Sequence, residues 1–274
     1  MPTFQTSDGL TLFYEDAGEG LPLLCLSGLT RDSRDFDYVL PHLAGCRVIR
    51  LDYRGRGKSQ FAEDPLSYSV PREAMDVVEL LKHLGLEQVA LLGTSRGGLV
   101  AMALAATVSD MLRGVALNDI GPEIAPEGLD VIMGYLGKPP IWKTYEEAAA
   151  ARPGVMKGFA NVPDSRWRAE VEKFFHQTED GLTLTYDPKL RDAVIAAGAQ
   201  PAPDLWPFFD ALAGKPLAVI RGANSDLLSP ETLAEMQRRR PDAHVAVVPD
   251  RGHVPFLDEP EALAALRAWL EEME

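Results

Sequence analysis

The chain has few cysteines and no long apolar run, and both shortages exclude classes of protein. Its 274 residues include two cysteines, Cys25 and Cys46, and neither has metal-ligand spacing around it. We expect two buried thiols, no disulfide, and no metal or other cofactor. No apolar run approaches the roughly 20 residues that span a bilayer, and residues 1–8 lack the basic and apolar regions of a secretory signal. The sequence therefore predicts a cytoplasmic protein.

Positive charge is also scarce. The chain has 27 Lys and Arg side chains against 41 Asp and Glu, which gives a formal net charge of −14. A field of that sign repels nucleic acid and anionic membrane surfaces, so we expect neither as a partner. With 46% hydrophobic residues, the chain can bury one full core and carry an additional segment. Nothing in this composition predicts an oligomeric state.

What the chain does contain is a serine between two closely spaced glycines. Residues 93–97 read Gly-Thr-Ser-Arg-Gly, with an apolar run before them and a run of small residues after them. This pattern predicts a strand, a sharp turn and a helix, because side chains at Gly93 and Gly97 would collide with neighbouring elements. A serine on such a turn is placed for nucleophilic attack if a base and backbone N–H donors flank it. Ser95 is therefore the candidate nucleophile, and an ordinary serine on a Gly-rich turn is the alternative.

Histidine is scarce enough for the base to be sought by elimination. His253 lies in a polar turn that contains Gly252, after the apolar run 244–248 and before a C-terminal helix. A histidine there would lie at the carboxyl edge of a sheet, where it could accept the proton of Ser95. The sequence around the other four histidines indicates surface, helix-end or packing roles for them: His42, His83, His176 and His244.

Two aspartates are candidates for the acid that orients His253. Asp226 follows the strand-like run 217–220 through a short turn, and we favour it as the triad acid. It could instead only cap the local backbone. Asp119 is the rival, because it ends the preceding strand and could reach the same histidine from the neighbouring strand end. With either acid, the chain order is serine, acid, histidine, which differs from the orders in chymotrypsin-like and subtilisin-like proteases.

With these residues in that order, the chain resembles the α/β-hydrolase fold superfamily, in particular the subgroup with a lid inserted after the sixth strand. Ser27 departs from the pattern, because the family often has His before the loop glycine. Residues 57–59 read Gly-Lys-Ser, but Asp52 stands where a phosphate-binding loop needs glycine, so we predict no nucleotide site. Besides the serine turn, the resemblance is carried by four loops: Ser27 to Leu29, Asp52 to Ser59, Arg221 to Asp226, and Gly252 with His253.

The resemblance implies an α/β fold with an eight-stranded, mainly parallel sheet flanked by helices. The alternation of strand-like and helical runs along the chain is typical of that architecture. The hydrolase core would comprise residues 1–120 and 205–274, and residues 121–204 would form a mostly helical lid. Residues 121–210 contain 11 of the chain's 21 aromatic side chains. These aromatics predict a partly hydrophobic pocket, although most of them would be needed for the lid's own packing.

The resemblance also implies an oxyanion hole made by the backbone N–H groups of Leu29 and Arg96. The expected reaction is hydrolysis of a small, partly hydrophobic carboxylic ester or lactone through an acyl-enzyme on Ser95. One alternative is a carbon–carbon bond hydrolase of the meta-cleavage product type, in which Arg96 would hold a substrate carboxylate. A second alternative is a non-catalytic, ligand-binding member of the fold. The side chains of Arg31 and Arg34, like that of Arg96, would hold such a carboxylate or pair with nearby aspartates: Asp32, Asp35 and Asp37.

Overall fold

The computed structural model describes residues 1–273, and its centre is one eight-stranded, mostly parallel sheet. The strand order is β1-β2-β4-β3-β5-β6-β9-β10, and a separate hairpin pairs β7 with β8. Only the joins β1–β2 and β2–β4 in the large sheet are antiparallel. The ten strands are β1 Thr3–Gln5, β2 Thr11–Ala17, β3 Leu21–Leu26, β4 Cys46–Leu51, β5 Val89–Thr94, β6 Leu112–Asn118, β7 Phe175–Thr178, β8 Gly181–Leu184, β9 Leu217–Gly222 and β10 His244–Val248.

Helices alternate with the strands and cover both faces of the large sheet. The α-helices are α1 Val70–His83, α2 Arg96–Val108, α3 Pro126–Tyr135, α4 Tyr145–Val155, α5 Asp164–Phe174, α6 Leu190–Gly198, α7 Trp206–Asp210, α8 Pro230–Arg239 and α9 Pro260–Glu271. This is the eight-stranded, helix-flanked architecture that the sequence predicts.

The sheet separates two hydrophobic cores, and the period-two alternation of a strand sorts side chains between them. Along β3, Leu24 and Leu26 lie in the core that α1, α2, α7 and α8 cover. Leu23 and Cys25 point the other way, into the core that α9 covers. Because both faces are buried, the central strands are mostly apolar, as expected of a parallel sheet between helical layers. Cys25 and Cys46 are both buried thiols.

A long segment separates two neighbouring strands of the sheet. Strands β6 and β9 pair directly, yet the chain between them forms α3 to α6, the β7–β8 hairpin and α7. Of these elements, α7 packs on α2 and places Phe209 in the main core. The helices before α7 form smaller apolar clusters, such as that of Ala148, Val171, Phe175 and Leu182.

Neighbouring parallel strands bring their carboxyl ends to one edge, where ligands bind in open α/β sheets. Strands β5, β6, β9 and β10 are consecutive in the sheet, and the loops after them carry Ser95, Asp119, Asp226 and His253.

Within residues 1–273, no helix is long and apolar enough to cross a membrane.

Candidate active site

Ser95 lies on a strained turn between β5 and α2. Its φ is 50° and its ψ is −112°, a backbone conformation that non-glycine residues rarely adopt. Strain of this kind persists only where the surrounding structure enforces it, and it concentrates at functional sites. Here the Ser95 N–H donates to the carbonyl of Asn118 at 2.9 Å, which ties the turn to the end of β6.

The glycines around Ser95 are required by close backbone approaches. A Cβ atom on Gly93 would lie 2.6 Å from the carbonyl carbon and oxygen of Gly97, and one on Gly97 would collide with the carbonyl oxygen of Leu26. Gly98 is equally confined, because a Cβ atom there would meet the side chain of Ile120. The sequence prediction for Gly93 and Gly97 is therefore confirmed, with β3 and the start of α2 as the colliding elements.

His253 lies between Ser95 and an aspartate. Its Nε2 is 3.0 Å from Ser95 Oγ, and its Nδ1 is 2.7 Å from Asp119 Oδ2. Because a carboxylate only accepts hydrogen bonds, Nδ1 carries the proton and Nε2 is left to accept from the serine hydroxyl. The Asp119 side chain is fully buried, while that of His253 is 18% exposed. Such an arrangement can remove a proton from Ser95 and hold the resulting imidazolium beside a fixed negative charge.

The prediction that Asp226 binds His253 is wrong, and Asp119 is the partner. Asp226 is half-buried, and within residues 1–273 its side chain has no hydrogen bond or ion pair to another side chain or to the backbone. The turn after β9 supplies donors to the acid and does not supply the acid. The Gly222 N–H donates to Asp119 Oδ1 at 2.8 Å, and the Ser225 hydroxyl donates to Asp119 Oδ2 at 2.6 Å.

The sequence contains a signal that favours Asp119 over Asp226. Asp119 directly follows β6, which pairs with β9, so its carboxylate needs no loop to reach the edge where His253 lies. Its φ of 56° turns the chain there, and its N–H donates to the carbonyl of Ile220 at 2.7 Å. An acid at a strand end is held by the sheet itself, whereas Asp226 lies four residues beyond its strand.

The N–H groups of Leu29 and Arg96 lie in the two segments that border Ser95. Arg96 is the first residue of α2, so its N–H has no partner within the helix. Leu29 follows Gly28, and a Cβ atom on Gly28 would be only 3.9 Å from Ser95 Cβ. Across residues 1–273, neither N–H donates to a backbone or side-chain acceptor. Two uncommitted donors beside a serine can stabilise a negative oxygen that develops there.

The Arg96 side chain is committed to a buried ion pair. Its Nε donates to Glu73 Oε2 at 2.7 Å, and the other oxygen of Glu73 accepts from Arg56 Nη1 at 2.7 Å. Arg56 also donates through Nε to the carbonyl of Leu29 at 2.8 Å. Burial raises the pKa of Glu73, but the two guanidinium groups outweigh it and hold that pKa below its usual value. Arg56 and Glu73, which the sequence analysis missed, therefore connect both residues whose N–H groups border Ser95.

Arg31 and Arg34 are also paired with acidic side chains. Arg31 forms ion pairs with Asp35 and with Glu170, the latter at 2.8 Å. Arg34 binds Asp32 at 2.6 Å. Of the two interpretations left open for these arginines, pairing with nearby carboxylates is the one that the contacts match.

The segment between β6 and β9 contacts both loops that border the site. Glu170 of α5 reaches Arg31 in the loop after β3. On the other side, the N–H of Ala160 donates to the carbonyl of Asp250 at 3.0 Å, three residues before His253.

Within residues 1–273, no group of three or more His, Cys, Asp or Glu side chains is arranged to hold a metal ion.

Several hydrolases are similar to this chain. A model of the alpha/beta hydrolase family matches residues 23–266. A 3-hydroxybutyrate-oligomer hydrolase from Cupriavidus necator is 40% identical over 252 residues, which cover 88% of this chain and 85% of that protein. A 2-(acetamidomethylene)succinate hydrolase from Mesorhizobium japonicum is 28% identical and covers 89% and 85%. The crystal structure of an alpha/beta hydrolase from Novosphingobium aromaticivorans superposes with a TM-score of 0.91 at 39% identity, over 98% and 97% of the two chains.

Proposed function

Because the chain belongs to the alpha/beta hydrolase family, we propose that it is a serine hydrolase that cleaves a carboxylic ester through an acyl-enzyme. The observation that carries this proposal is the continuous hydrogen-bonded chain from Ser95 through His253 to Asp119, with distances of 3.0 and 2.7 Å. A nucleophile, a base and an orienting acid within hydrogen-bond reach are the geometric requirement for this chemistry.

In the proposed reaction, His253 Nε2 takes the proton of Ser95 as its Oγ attacks the carbonyl carbon of the ester. Asp119 keeps the imidazole in the tautomer that leaves Nε2 free and then stabilises the imidazolium. His253 gives its proton to the departing alcohol as the bond to that alcohol breaks, which leaves the acyl group on Ser95. It next takes a proton from water, whose oxygen attacks the acyl carbon. It then returns a proton to Ser95 Oγ as the bond between Oγ and the acyl carbon breaks and the carboxylic acid leaves.

The oxyanion formed at each attack would be held by the N–H groups of Leu29 and Arg96. Removing one such donor typically costs about 3 to 4 kcal/mol in the activation barrier. In this proposal the ion pairs of Glu73 with Arg56 and Arg96 are positioning contacts, because they fix the two residues without touching the substrate.

Residues 121–204 would act as a lid over this site. Contacts on both sides of the triad, at Arg31 and at Asp250, support that role. The substrate class is suggested by the 40% identical relative, whose name describes hydrolysis of 3-hydroxybutyrate oligomers. We therefore propose short esters of hydroxy acids as substrates, cleaved in the cytoplasm.

Carbon–carbon bond hydrolysis loses the observation that favoured it. That alternative needed the Arg96 side chain for a substrate carboxylate, and this side chain is bound to Glu73 and to the carbonyl of Tyr68. A non-catalytic, ligand-binding role is disfavoured by the hydrogen bonds that join Ser95, His253 and Asp119.

The first test is steady-state turnover of p-nitrophenyl butyrate by the wild type and by Ser95→Ala. We expect many turnovers from the wild type and near-background rates from the variant. Equal, slow rates for the two proteins would contradict an ester hydrolase that uses Ser95.

A matched pair of variants tests which acid serves the triad. Asp119→Asn should lower kcat by about 10⁴-fold, because the amide would favour the wrong imidazole tautomer. Asp226→Asn removes the same charge from the neighbouring turn and should change kcat less than threefold. If the larger loss came from Asp226→Asn, the assignment of Asp119 would be overturned.

A further inference from the structure

Arg152 of α4 is a buried cation with no bonded anion. Arg152 is 7% exposed, and its Nε is fully buried and has no hydrogen-bond acceptor. Across residues 1–273, no carboxylate oxygen lies within 4 Å of its guanidinium nitrogens and no hydrogen bond from them is formed. A buried charge is costly unless an opposite charge and acceptors compensate it, so an arginine in this state calls for a partner.

The surroundings of Arg152 add a second cation and an aromatic ring. The guanidinium carbon of Arg152 lies 4.1 Å from the ring centre of Phe174, and that of Arg31 lies 3.8 Å from the same centre. Burial, reinforced by the positive charge of Arg31, lowers the pKa of Arg152 to about 10, so it remains a cation at neutral pH. Both guanidinium groups therefore lie against one aromatic ring, and both side chains are largely covered from solvent.

The carboxylates of this cluster already have partners. Asp35 and Glu170 both bind Arg31, and Glu170 also lies 3.8 Å from Lys173 Nζ. Lys173 Nζ and Glu170 Oε1 are themselves buried without hydrogen bonds, as is the hydroxyl of Tyr38. Four of the nine such side-chain atoms found in residues 1–273 thus lie in this one cluster. Each unbonded buried polar atom calls for an explanation, and a bound polar ligand would explain the one on Arg152.

The cluster adjoins the nucleophile through Arg31. A Cβ atom on Gly28 would lie 3.4 Å from Arg31 Cγ and 3.9 Å from Ser95 Cβ. Arg31 therefore extends from the edge of the Ser95 site to the ring of Phe174, with Arg152 on that same ring. Arg152 thus lies one aromatic ring away from the side chain that borders the Ser95 turn.

From this geometry we propose that Arg152 binds a carboxylate group of the substrate, so that the ester hydrolysed at Ser95 carries a free acid at one end. This rests on the proposed ester hydrolysis and specifies its substrate class as an ester that is also a monocarboxylic acid. A guanidinium in a site with little water binds a carboxylate by charge-assisted, bidentate hydrogen bonds. Short oligomers of a hydroxy acid have that chemistry, because each ends in one free carboxylate.

Binding to an inactive protein tests the proposal without relying on turnover. The probe is the dimer of 3-hydroxybutyrate, compared with its primary amide, which has the same shape and no charge. In the Ser95→Ala protein we expect the acid to bind about tenfold or more tightly than the amide by calorimetry. Adding Arg152→Gln should abolish that preference, and Arg152→Lys should restore part of it. Equal binding of acid and amide to Ser95→Ala would overturn the proposal.

Kinetics with Ser95 intact give a second measurement. The acid dimer carries its charge on the alcohol side of the ester, and mono-p-nitrophenyl glutarate carries it on the acyl side. Each acid is compared with its uncharged amide. We expect Arg152→Gln to lower kcat/KM for the acid of at least one pair tenfold more than for the matching amide. Equal losses within both pairs would overturn the role of Arg152. Acid-selective binding without turnover of any ester would instead refute the proposed reaction.

Controls separate charge recognition from damage to the fold. Arg168→Gln removes a more exposed arginine of α5 that binds Glu146 and Glu172, and it should leave both acid-to-amide ratios unchanged. The thermal midpoint of Arg152→Gln should stay within a few degrees of the wild type. A variant that melts much earlier and loses acid and amide activity equally would show that Arg152 only supports the fold.

Discussion

Arg56 and Arg152 are both buried arginines near the candidate site, and they differ in every bond they make. Arg56 donates to the carbonyls of Leu29 and Arg54 and to the carboxylate of Glu73. Arg152 makes no such bond and rests on the ring of Phe174. Burial alone therefore does not distinguish a structural arginine from one that binds a ligand. The number of acceptors already around it separates a side chain that supports the fold from one that is available to a ligand.

The two arginines also belong to different parts of the fold. Arg56 follows β4, and its partner Glu73 lies on α1, so the pair is held by the sheet and its first helix. Arg152 lies on α4, in the segment between β6 and β9 that forms its own small apolar clusters. The sheet and α1 thus hold the paired arginine, and the segment between β6 and β9 carries the unpaired one.

The largest expected effect on stability comes from removing the ion pairs that Glu73 forms with Arg56 and Arg96. Glu73→Gln keeps the shape of the side chain and leaves Arg56 and Arg96 without their carboxylate. We expect the free energy of unfolding in urea to fall by about 3 to 5 kcal/mol, because a buried charge loses its compensation. Glu87→Gln, an exposed change of the same type on a loop, should have almost no effect. A loss below about 1 kcal/mol for Glu73→Gln would mean that this pair is not holding its surroundings together.

A milder change to the same pair should affect catalysis more than stability. Arg56→Lys retains the charge but has no planar fork to bind the Leu29 carbonyl and Glu73 together. If this fork positions the Leu29 N–H, kcat for p-nitrophenyl butyrate should fall about 10- to 100-fold, with KM changed less than threefold. A change in KM alone would contradict a role in transition-state stabilisation.

The unpaired arginine should respond in the opposite sense to the paired one. Arg152→Met keeps an unbranched apolar stem and removes the uncompensated charge. We expect the unfolding free energy to stay the same or rise by about 1 kcal/mol, because replacing a buried charge by an apolar group is often stabilising. A loss of 2 kcal/mol or more would place Arg152 with Arg56 as a structural residue.

The smallest effect is expected at the exposed arginine of the same region. Arg168→Gln breaks surface ion pairs with Glu146 and Glu172. Exposed pairs contribute little, so the unfolding free energy should change by less than about 0.5 kcal/mol. A larger loss would show that these pairs join α4 and α5 and are not only solvated surface charges.

Local sequence patterns were enough to predict a parallel sheet between helices and the turn at Ser95, while the number of strands was implied by the family resemblance. Alternating apolar runs marked the strands, and the glycines at 93 and 97 marked the turn, because both features depend on residues near one another in the chain. The turn between β1 and β2 is a local feature of the same kind, because Gly9 reverses the chain there with a φ of 88°. The fold class followed from these elements in order.

The acid and the arginines could not be assigned in the same way. Asp119 and Asp226 both lie at the carboxyl edge. The strand-end position favours Asp119, but whether Asp226 also reaches His253 depends on the path of the turn after β9. The partner of Arg96 is Glu73, 23 positions away, so no neighbouring aspartate indicated it. Pairings of this kind depend on the packing of α1 against α2, which a local pattern does not contain.

The three donors around Asp119 have a consequence for changing this protein by design. Two of them, Gly222 and Ser225, come from the turn after β9, and the third is His253. Support of Asp119 therefore requires the backbone N–H of Gly222, at the end of β9, and the hydroxyl of Ser225. It does not require the carboxylate of Asp226. That position is open to randomisation in a library aimed at new substrates, since variation there leaves the support of the acid intact.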